Sequence, residues 1–498
     1  MPAPLTSQPL DLTVPVDLAI LREVFVRADY THQRCTQAAV IQRGPGVPQL
    51  NHQLSEQNLD DSTPFATLFR LFRLEQPLPT ARVAAVFAPL SLDSLAALGL
   101  LRQRDAEHFE ASLYISESNG LWSLSDLPST KSDPLHVLGL TATGEKVDVL
   151  TPRRPCRRTL DVGTGNGYLA LLASRHSEQV VATDINSRAL ALAEFNARLN
   201  GIRNVDFRHG SWFEPVAGER FDLICCNPPF IISPGIKSIF RDAGFPADGL
   251  MQMLAAEFAR HLSDGGLGVF IGNWLVEEDD VARRPQRWLA DANVDALILH
   301  GAPKTPLEYA CHWLEHAHGD SGTAAFRQEL QEWLAYYQEQ KVEAIVNGGF
   351  VLRRRPGPNT FTMLYVQEAE RGSCGTQLEF LFRQSDFLRQ FASLAALESA
   401  RLRLADSLEL EQTIDIDAGN LRLRRCTLRH RQGMTLAQGL DEQTLLFLQT
   451  FNGRKTLGEV ITELAQRFGA PRDAVAQQGT EFVLTCIVRG FLVPAEQP

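Results

Sequence analysis

The 498-residue sequence predicts an α/β protein whose central domain is built on a mostly parallel sheet. The prediction depends on three apolar runs of strand length, at residues 159–162, 179–184 and 221–226. Helical periodicity begins after each of the first two runs. Alternating strands and helices are typical of a doubly wound sheet, in which ligands bind beyond the carboxyl ends of the strands.

The first strand leads into a loop with three alternating glycines, Gly163, Gly165 and Gly167. Glycine permits a tight turn there and lets a ligand approach the backbone closely. The spacing differs from the dinucleotide fingerprint G-x-G-x-x-G, so a pyrophosphate is not the expected ligand. Taken alone, these glycines also fit a simple strand-to-helix turn.

The second strand ends in a carboxylate, Asp184, at the edge of the sheet where a ligand is expected. A carboxylate in this position accepts hydrogen bonds from ribose hydroxyls. The alternative is a helix N-cap, because a helical pattern begins just downstream at residue 187. The glycine loop beside it favours the ligand role.

The third strand is followed by the tetrapeptide Asn227-Pro228-Pro229-Phe230. Two prolines fix the backbone and remove two N–H donors, which leaves the Asn227 amide and the Pro228 carbonyl as rigid acceptors. Such acceptors hold a planar amino group by its hydrogens, and the aromatic ring of Phe230 stacks on its plane. Orienting that nitrogen helps its delocalised lone pair to reach an electrophile. A Pro-Pro turn that merely closes a strand is the simpler alternative.

Together these segments resemble the Rossmann-like class I methyltransferases that depend on S-adenosylmethionine. The closer likeness is to the small-domain subgroup with an (N/D)-P-P-(Y/F) motif, which methylates planar amino nitrogens. The resemblance covers residues 150–365 and implies a seven-stranded sheet with S-adenosylmethionine as the cofactor. It implies that the cofactor is contacted by Asp161, Gly163, Thr164, Gly165, Gly167, Asp184, Ile185, Ser211, Trp212 and Asn227.

In that resemblance, Asp161 and the glycines lie under the methionine part, Asp184 holds the ribose, and Ile185 lies beside the adenine. Asn227 binds the target amine and Phe230 stacks on the target, with Pro228 and Pro229 completing the catalytic motif. Many family members carry an acidic residue near the adenine amine. Here the stretch contains Ser211 and Trp212 instead, and the Ser211 hydroxyl is the expected substitute.

Residues 1–130 are predicted to form a winged-helix-like recognition domain after a loose leader at 1–15. Helical spacing occurs at 16–28, 65–74, 79–87 and 91–101. Apolar and polar residues alternate through 107–124, and this stretch contains Ser118-Asn119-Gly120, which is a hairpin turn signal. The candidate nucleic-acid contacts in this domain are Arg70, Arg73, Arg82, Arg102 and Arg104. The alternative is a packing domain whose arginines are solvated.

Residues 131–368 are predicted to form the methyltransferase domain. We expect a β-connection at 135–150, further strands at 268–274 and 295–300, and a hairpin of 349–354 with 360–367 that supplies the antiparallel last strand. A basic cluster at the domain entry consists of Arg153, Arg154, Arg157 and Arg158. It fits either a phosphate contact or a solvated strand entry.

Two further segments of this domain are candidates for substrate contact. Residues 231–249 are rich in Gly, Pro and Ser and fit a flap over the target, with Lys237, Arg241 and Asp242 as candidate contacts. A helical insertion is predicted near 302–343. Its aromatic residues fit a core better than a base-stacking platform: Tyr309, Trp313, Trp333, Tyr336 and Tyr337.

Residues 369–498 are predicted to form a small α+β domain that ends in a winged-helix-like module. We expect a helix at 380–404, strands at 414–428 and helices within 441–494. The segment 445–469 resembles small helical modules that recognise peptides in peptide-modifying pathways. No catalytic constellation is recognisable in this part.

Composition restricts the class of protein. The hydrophobic content of 44% and charged content of 21% indicate a globular chain, and its length requires several domains. The net charge of −11 argues against a surface covered with basic groups for nucleic acid. The eight cysteines show no C-x-x-C pair, so we expect no metal site and a reducing, cytoplasmic setting. We expect no signal peptide and no membrane span.

The sequence therefore predicts an N-methyltransferase that acts on a planar amino nitrogen. The first substrate hypothesis is adenine N6 or guanine N2 of RNA, which is favoured over DNA, because Phe230 suits base stacking. The alternative is the side-chain amide of a protein glutamine. A third hypothesis, of another class, is a non-catalytic scaffold that binds S-adenosylmethionine.

Overall fold

The computed structural model describes residues 10–42, 49–235, 244–318, 322–366, 372–417 and 420–495. The chain divides into two compact units. The first unit contains residues 1–147, 154–293 and 303–356, and the second contains 148–153, 294–302 and 357–498. The first unit thus holds the N-terminal region together with the glycine loop and the Asn-Pro-Pro-Phe turn. The predicted domain boundaries at 130/131 and 368/369 stay predictions.

The N-terminal region consists of short helices and antiparallel strands, in agreement with the sequence spacing. Its helices are α1 (Leu18–Arg27), α2 (His32–Ala38), α3 (His52–Gln57), α4 (Pro64–Phe72), α5 (Thr80–Phe87) and α6 (Leu92–Leu98). Its strands are β1 (Ile41–Gln42), β2 (Gln49–Leu50), β3 (Leu78–Pro79), β4 (Leu101–Gln103), β5 (His108–Ala111), β6 (Leu113–Ser118) and β7 (Leu121–Asp126). The predicted hairpin is present as β6 and β7, and its turn residues Asn119 and Gly120 have φ angles of 52° and 72°.

The central part of the first unit alternates strands and helices. A helix α7 (Ala142–Leu150) precedes β8 (Cys156–Val162), α8 (Tyr168–Ala173), β9 (Ser177–Asp184), α9 (Ser187–Leu199), β10 (Val205–His209) and β11 (Phe221–Cys226). These are followed by α10 (Gly249–His261), β12 (Leu262–Val276), α11 (Arg283–Leu289), β13 (Val294–His300), α12 (Pro306–His318), α13 (Ala324–Glu339), β14 (Ala344–Arg354) and β15 (Phe361–Tyr365). The strands β13 and β15 belong to the second unit.

In the first unit, the sheet has the strand order β10-β9-β8-β11-β12-β14. All neighbours are parallel except β12 and β14, which pair antiparallel from Leu267↔Arg353 to Val276↔Ala344. The interior strands are buried on both faces, which explains why they read as continuous apolar runs. The predicted α/β class with a parallel central sheet is confirmed.

Two expectations for this domain are wrong. Residues 142–150 form the helix α7 rather than a β-connection, and Thr141 starts it by accepting hydrogen bonds from the Gly144 and Glu145 amides. The strands β14 and β15 do not form a hairpin with each other, because β14 pairs with β12 and β15 pairs in parallel with β13. The described residues of the first unit contribute six strands to the sheet, and β13 and β15 of the second unit form a parallel pair, so the predicted count of seven strands stays a prediction.

The N-terminal helices share a hydrophobic core with α9 of the central fold. Leu192, Phe195 and Leu199 of α9 pack in one buried cluster with Phe25, Phe69 and other N-terminal side chains. The strand β7 is attached to the same helix by side-chain amides. Asn196 bonds both backbone groups of Leu124, and Asn200 bonds both backbone groups of Trp122. The side-chain amides of these two asparagines thus make the hydrogen bonds that a neighbouring strand would make with this edge of β7.

The helices α12 and α13 form the predicted insertion and pack their aromatic side chains inward. Tyr309, Trp333 and Tyr337 are at most 3% exposed and lie in one cluster with Ile232. The expectation of an aromatic core rather than an open platform is therefore confirmed for these three residues.

The second unit continues with α14 (Gly375–Leu388), β16 (Arg401–Leu404), β17 (Leu408–Asp417), β18 (Asn420–His430), β19 (Ala437–Leu440), α15 (Glu442–Gln449), β20 (Asn452–Thr456), α16 (Leu457–Phe468), α17 (Arg472–Val488) and β21 (Leu492–Pro494). The helix predicted at 380–404 ends early at Leu388, and its last residues form β16. The strands form two separate sheets, β20-β16-β21 and β17-β18-β19. Among the described residues, no single helix is long and apolar enough to cross a membrane. The helices α5 and α6, which meet at a bend, reach the required length and apolar composition only when they are taken together.

Candidate active site

A cavity of about 310 Å³ opens at the carboxyl ends of β8, β9 and β11 in the first unit. Residues from four sequence-predicted segments line it. From the predicted set these are Gly163, Thr164, Gly165, Asp184, Ile185, Ser211, Trp212, Asn227 and Pro229. The other four predicted residues, Asp161, Gly167, Pro228 and Phe230, do not line it.

The glycine loop forms the floor of the cavity. Gly163 and Gly165 have positive φ angles of 68° and 57°, a region that favours glycine. A Cβ atom added to either residue would meet no heavy atom within 4 Å. The space above these two glycines is therefore open, as close approach of a ligand to the backbone requires.

Gly167 has a different role from its two neighbours. It precedes α8 with a φ of 88°, and an added Cβ would lie 2.9 Å from the Cβ of Ala193. Gly167 therefore allows the loop to pack against α9. Its contribution to ligand binding is to hold the loop in place.

Asp161 lies beneath the loop and holds its shape. Its carboxylate is fully buried and accepts hydrogen bonds from the Thr164 hydroxyl at 2.6 Å and the Ala170 amide at 3.0 Å. Burial raises the pKa of the Asp161 carboxyl to about 6, while the hydrogen bond from Thr164 acts in the opposite direction. Asp161 thus supports the loop from below.

Asp184 stands at the end of β9 and combines two tasks. Its carboxylate lines the cavity and accepts hydrogen bonds from the Gly165 amide at 2.9 Å and the Asn186 amide at 2.8 Å. Burial raises the pKa of the Asp184 carboxyl above its usual value. Each oxygen retains acceptor capacity, because a carboxylate oxygen has two lone pairs. The helix N-cap is Asn186 rather than Asp184.

The cavity wall next to Asp184 is apolar. The Ile185 side chain is 59% exposed, although it is a large aliphatic group. Trp212 lies on the same cavity with a φ of 48° and packs edge-on to Phe245, with ring centroids 6.4 Å apart. An exposed aliphatic side chain and an indole on one cavity suit a flat apolar ring system such as adenine.

Asn227 carries an unused acceptor. It stands directly after β11, and its Oδ1 atom is shielded from solvent with no hydrogen-bond partner among the described residues. Its Nδ2 atom faces α7, since a Cβ added to Gly144 would lie 3.7 Å away. A buried acceptor without a donor costs free energy, so a ligand N–H that reaches it is favoured.

Phe230 is placed differently from the expectation. Its side chain is 8% exposed, and its ring packs edge-on to Trp313 at a centroid distance of 6.0 Å. Pro228 is also buried. The contribution of Phe230 to target stacking stays a prediction, since its ring lies outside the cavity lining.

Sequence reasoning missed the wall that precedes β8. Leu138, Gly139, Leu140, Thr141 and Gly144 line the same cavity as the glycine loop. The start of α7 was the available signal, because Thr141 caps it and Gly144 lies within its first turn. Asn166 of the glycine loop was also missed and lines the same space.

The arginines proposed for nucleic acid are engaged within the protein. Arg70 is 8% exposed and pairs with Glu56 and Asp61, and Arg82 also pairs with Asp61. Arg102 and Arg104 share Glu110. The guanidinium of Arg73 lies 4.6 Å from the ring centre of Tyr114.

The basic cluster before β8 is paired as well. Arg153 pairs with Asp148, Arg157 with Asp222 and Arg158 with Glu219, and Arg154 donates to the Gly265 carbonyl. The candidates Lys237, Arg241 and Asp242 lie outside the described residues. In the described part of the chain, no group of three or more His, Cys, Asp or Glu side chains could hold a metal ion.

Two family models match the chain. Residues 147–278 match the methyltransferase small domain, and residues 36–112 match a domain of unknown function, DUF7059. The first match covers β8 to β12 and therefore the glycine loop, Asp184 and the Asn-Pro-Pro-Phe turn. The second covers much of the helical N-terminal region.

Curated relatives match a part of the chain that is less than a third of its length. A release factor glutamine methyltransferase of Xylella fastidiosa (strain Temecula1 / ATCC 700964) is 40% identical over 134 residues, which are 24% of this chain and 46% of the relative. One of Yersinia pestis is 55% identical over 82 residues, 16% of this chain and 29% of the relative. A ribosomal protein uL3 glutamine methyltransferase of Bradyrhizobium diazoefficiens is 29% identical over 181 residues, which are 30% of this chain and 56% of the relative. The chain thus spans about half the length of these relatives or less.

The fold, the cavity and these matches define the class of the central segment, which is a class I methyltransferase dependent on S-adenosylmethionine. Within this class, the segment belongs to the small-domain subgroup, as its motifs predict.

The cavity fits the cofactor of this class. It offers open space over two glycines, a carboxylate for hydroxyl groups and an exposed aliphatic wall. Since the relatives carry glutamine methyltransferase names, they support the glutamine alternative better than the RNA hypothesis.

Proposed function

We propose that this chain transfers a methyl group from S-adenosylmethionine to the side-chain amide nitrogen of a glutamine in a protein. The observation that carries the proposal is the unpartnered Oδ1 atom of Asn227, a residue that lines the cavity at the end of β11. A primary amide presents two N–H hydrogens in one plane, so it can donate one of them to Oδ1. The names of the aligned relatives support glutamine over a nucleobase.

The residues of this chain supply binding and alignment. Gly163 and Gly165 form the open floor, Asp184 accepts hydrogen bonds from ribose hydroxyls, and Ile185 covers one face of the adenine. When bound, S-adenosylmethionine supplies an electrophilic methyl group on a cationic sulfur. Asn227 holds the target amide with its nitrogen directed at that methyl group.

The proposed reaction needs only the amide and S-adenosylmethionine. The amide nitrogen forms a bond to the methyl carbon as the carbon–sulfur bond breaks, and one proton leaves the nitrogen for water. The products are an N-methylated amide, S-adenosylhomocysteine and a proton. Asn227 keeps the nitrogen lone pair directed at the methyl carbon by accepting one amide hydrogen in the amide plane.

The charge distribution also supports a protein substrate over RNA. The arginines that sequence patterns offered for phosphate contact are paired with carboxylates, stacked or bonded to backbone. The whole chain carries a net charge of −11. Cationic side chains drive association with a phosphate backbone by releasing counterions, and the candidate arginines already have partners within the chain.

Methyl transfer to fractionated bacterial extract tests the proposal. The full chain is incubated with S-adenosylmethionine tritiated in its methyl group and with separate protein and RNA fractions. We expect protease-sensitive label in the protein fraction. After acid hydrolysis the label should become volatile as methylamine once the hydrolysate is made alkaline, because an N-methyl amide hydrolyses to an acid and an amine. Label that ribonuclease removes would instead support nucleobase methylation.

Substitution of Asn227 assigns the activity to this cavity. Asn227→Ala removes the acceptor and should lower transfer at least a hundredfold while S-adenosylhomocysteine still binds. Asn420→Ala, which changes an exposed asparagine of β18 in the second unit, is the matched control and should behave as the unmodified chain. Full activity of Asn227→Ala would refute the assignment of Asn227.

A further inference from the structure

The helical insertion α12–α13 reaches the polypeptide that follows the Asn-Pro-Pro-Phe turn. The Tyr309 hydroxyl accepts a hydrogen bond from the Ile232 amide at 3.1 Å, and the Tyr337 hydroxyl donates to the Ile232 carbonyl at 2.7 Å. Both backbone groups of Ile232, two residues after Phe230, are therefore held by tyrosines more than seventy residues downstream. Further along, the Tyr336 hydroxyl accepts from the Ala247 amide at 2.9 Å.

A buried asparagine connects this contact to the turn itself. Asn273 of β12 is 1% exposed, and its Nδ2 donates to the Tyr309 hydroxyl at 2.6 Å and to the Phe230 carbonyl at 3.3 Å. Its Oδ1 accepts from Asn347 of β14 at 2.8 Å. The backbone at Phe230 and Ile232 is thus bonded to the central sheet through Asn273 and Tyr309.

The surroundings of these hydrogen bonds are apolar. Tyr309 and Tyr337 are 3% and 1% exposed, and Ile232 is 2% exposed. Trp313 of α12 packs on the Phe230 ring. Loss of a partner here leaves a backbone group without water to replace it, which is costly.

The turn is fixed at both ends by this arrangement. On the amino-terminal side, Cys226 pairs with Val162 of β8 and Phe270 of β12. Two prolines restrict the backbone between Asn227 and Phe230. On the carboxyl-terminal side, Tyr309 and Asn273 provide the second attachment. The direction of the Asn227 side chain depends on both ends.

We propose that Tyr309 and Asn273 are positioning residues that hold the Asn227 amide in its productive orientation, which rests on the proposed function of Asn227. The insertion α12–α13 therefore contributes to methyl transfer through the Asn-Pro-Pro-Phe turn. It acts on the rate of transfer rather than on cofactor affinity, because none of the described residues of α12 and α13 lines the cavity.

Tyr309→Phe tests the proposal, because it removes the hydroxyl and keeps the ring that packs in the core. Hydrogen exchange of the full chain, followed by mass spectrometry, reports on the amides of residues 230–235. We expect exchange there to become at least tenfold faster, with unchanged binding of S-adenosylhomocysteine. Tyr337→Phe should produce the same change independently. Tyr365→Phe, which alters an exposed tyrosine of the second unit, is the matched control and should change neither quantity.

The kinetic measurement uses the protein fraction of bacterial extract at increasing concentration as the methyl acceptor. For Tyr309→Phe we expect kcat to fall about tenfold with KM unchanged, since misplacing a reacting group affects the chemical step. Unchanged exchange at 230–235, or an unchanged kcat, would overturn the proposal. If the unmodified chain methylates no protein, the proposed function fails, and the exchange measurement alone still decides whether Tyr309 holds the turn.

Discussion

Gly144 and Asn227 line the same cavity, and the space where a Cβ atom of residue 144 would stand borders the Asn227 side-chain amide. A Cβ atom on Gly144 would lie 3.7 Å from Nδ2 of Asn227 and 3.4 Å from Oγ1 of Thr141. Gly144 belongs to α7, before the first strand of the sheet, whereas Asn227 follows the strand β11. The space beside the Asn227 amide is therefore bordered by two segments that are about eighty residues apart in sequence.

Gly144→Leu should block the space beside Asn227. A branched side chain at this position projects toward the Asn227 amide, so we expect methyl transfer to fall at least tenfold. Gly144→Ala is the matched control, because its Cβ makes only ordinary contacts, and it should retain most of the activity. Labelled transfer to the protein fraction measures both variants. An active Gly144→Leu variant would show that the substrate does not use this space.

The buried carboxyl of Asp161 should make stability depend on pH. Burial raises its pKa to about 6 in the folded chain, above the value of an exposed aspartate. Between about pH 4 and pH 6 the folded state holds a proton that the unfolded state has lost. The free energy of unfolding should therefore decrease as pH rises through this window, by about 3 kcal/mol in total.

Comparison with Asp161→Asn isolates this effect. The variant lacks the titrating group, so its unfolding free energy should not show this decrease. The difference between the two proteins, measured by urea denaturation at several pH values, should change between pH 4 and pH 6 and be constant above it. A constant difference throughout would contradict the raised pKa.

Gly167→Ala should destabilise the chain through a steric clash. The residue has a φ of 88°, and its new Cβ would lie 2.9 Å from Ala193. Backbone strain costs about 1 kcal/mol, and the clash adds about 1–3 kcal/mol. Gly201→Ala provides the control, since Gly201 has a φ of 70° with no atom within 4 Å of an added Cβ. Equal denaturation midpoints for the two variants would show that the loop moves away from α9 freely.

The ion pair of Asp248 and Arg284 should contribute strongly to the stability of the first unit. Asp248 is 2% exposed, and Arg284 donates to both of its oxygens at 2.6 and 2.7 Å. Arg284→Ala leaves a buried charge unpaired and should cost about 3–5 kcal/mol. Arg287→Ala removes an exposed pair with Glu277 and should cost less than about 1 kcal/mol. Thermal denaturation of both variants measures these losses in the free energy of unfolding. Equal losses for the two variants would contradict the prediction.

Local sequence patterns predicted the elements whose structure depends on residues that are close together in the sequence. The glycine loop, the carboxylate of Asp184 and the strand before Asn227 follow from periodicity and turn chemistry, and the structure places all three at one cavity. The wall at 138–144 was missed because Thr141, Thr143 and Val147 have β-branched side chains, which weaken a helix signal. The capping hydrogen bonds of Thr141 outweigh that preference.

The surroundings of Phe230 show why the rest was not predictable. Its ring is covered by Trp313, and its carbonyl is bonded by Asn273. Both partners come from distant segments, and no spacing in the sequence relates them to Phe230. The pairing of β14 with β12 is of the same kind, since the proline-containing turn at 355–358 suggested a local hairpin instead.

The common core of α9 and the N-terminal helices sets a lower limit on the length of any expression fragment. A fragment that begins at residue 147, where the small-domain match starts, would expose Leu192, Phe195 and Leu199 to solvent. It would also strip Asn196 and Asn200 of the strand that they bind. Such a fragment should precipitate or bind hydrophobic dyes, and attempts to crystallise the catalytic part need to begin upstream of α1.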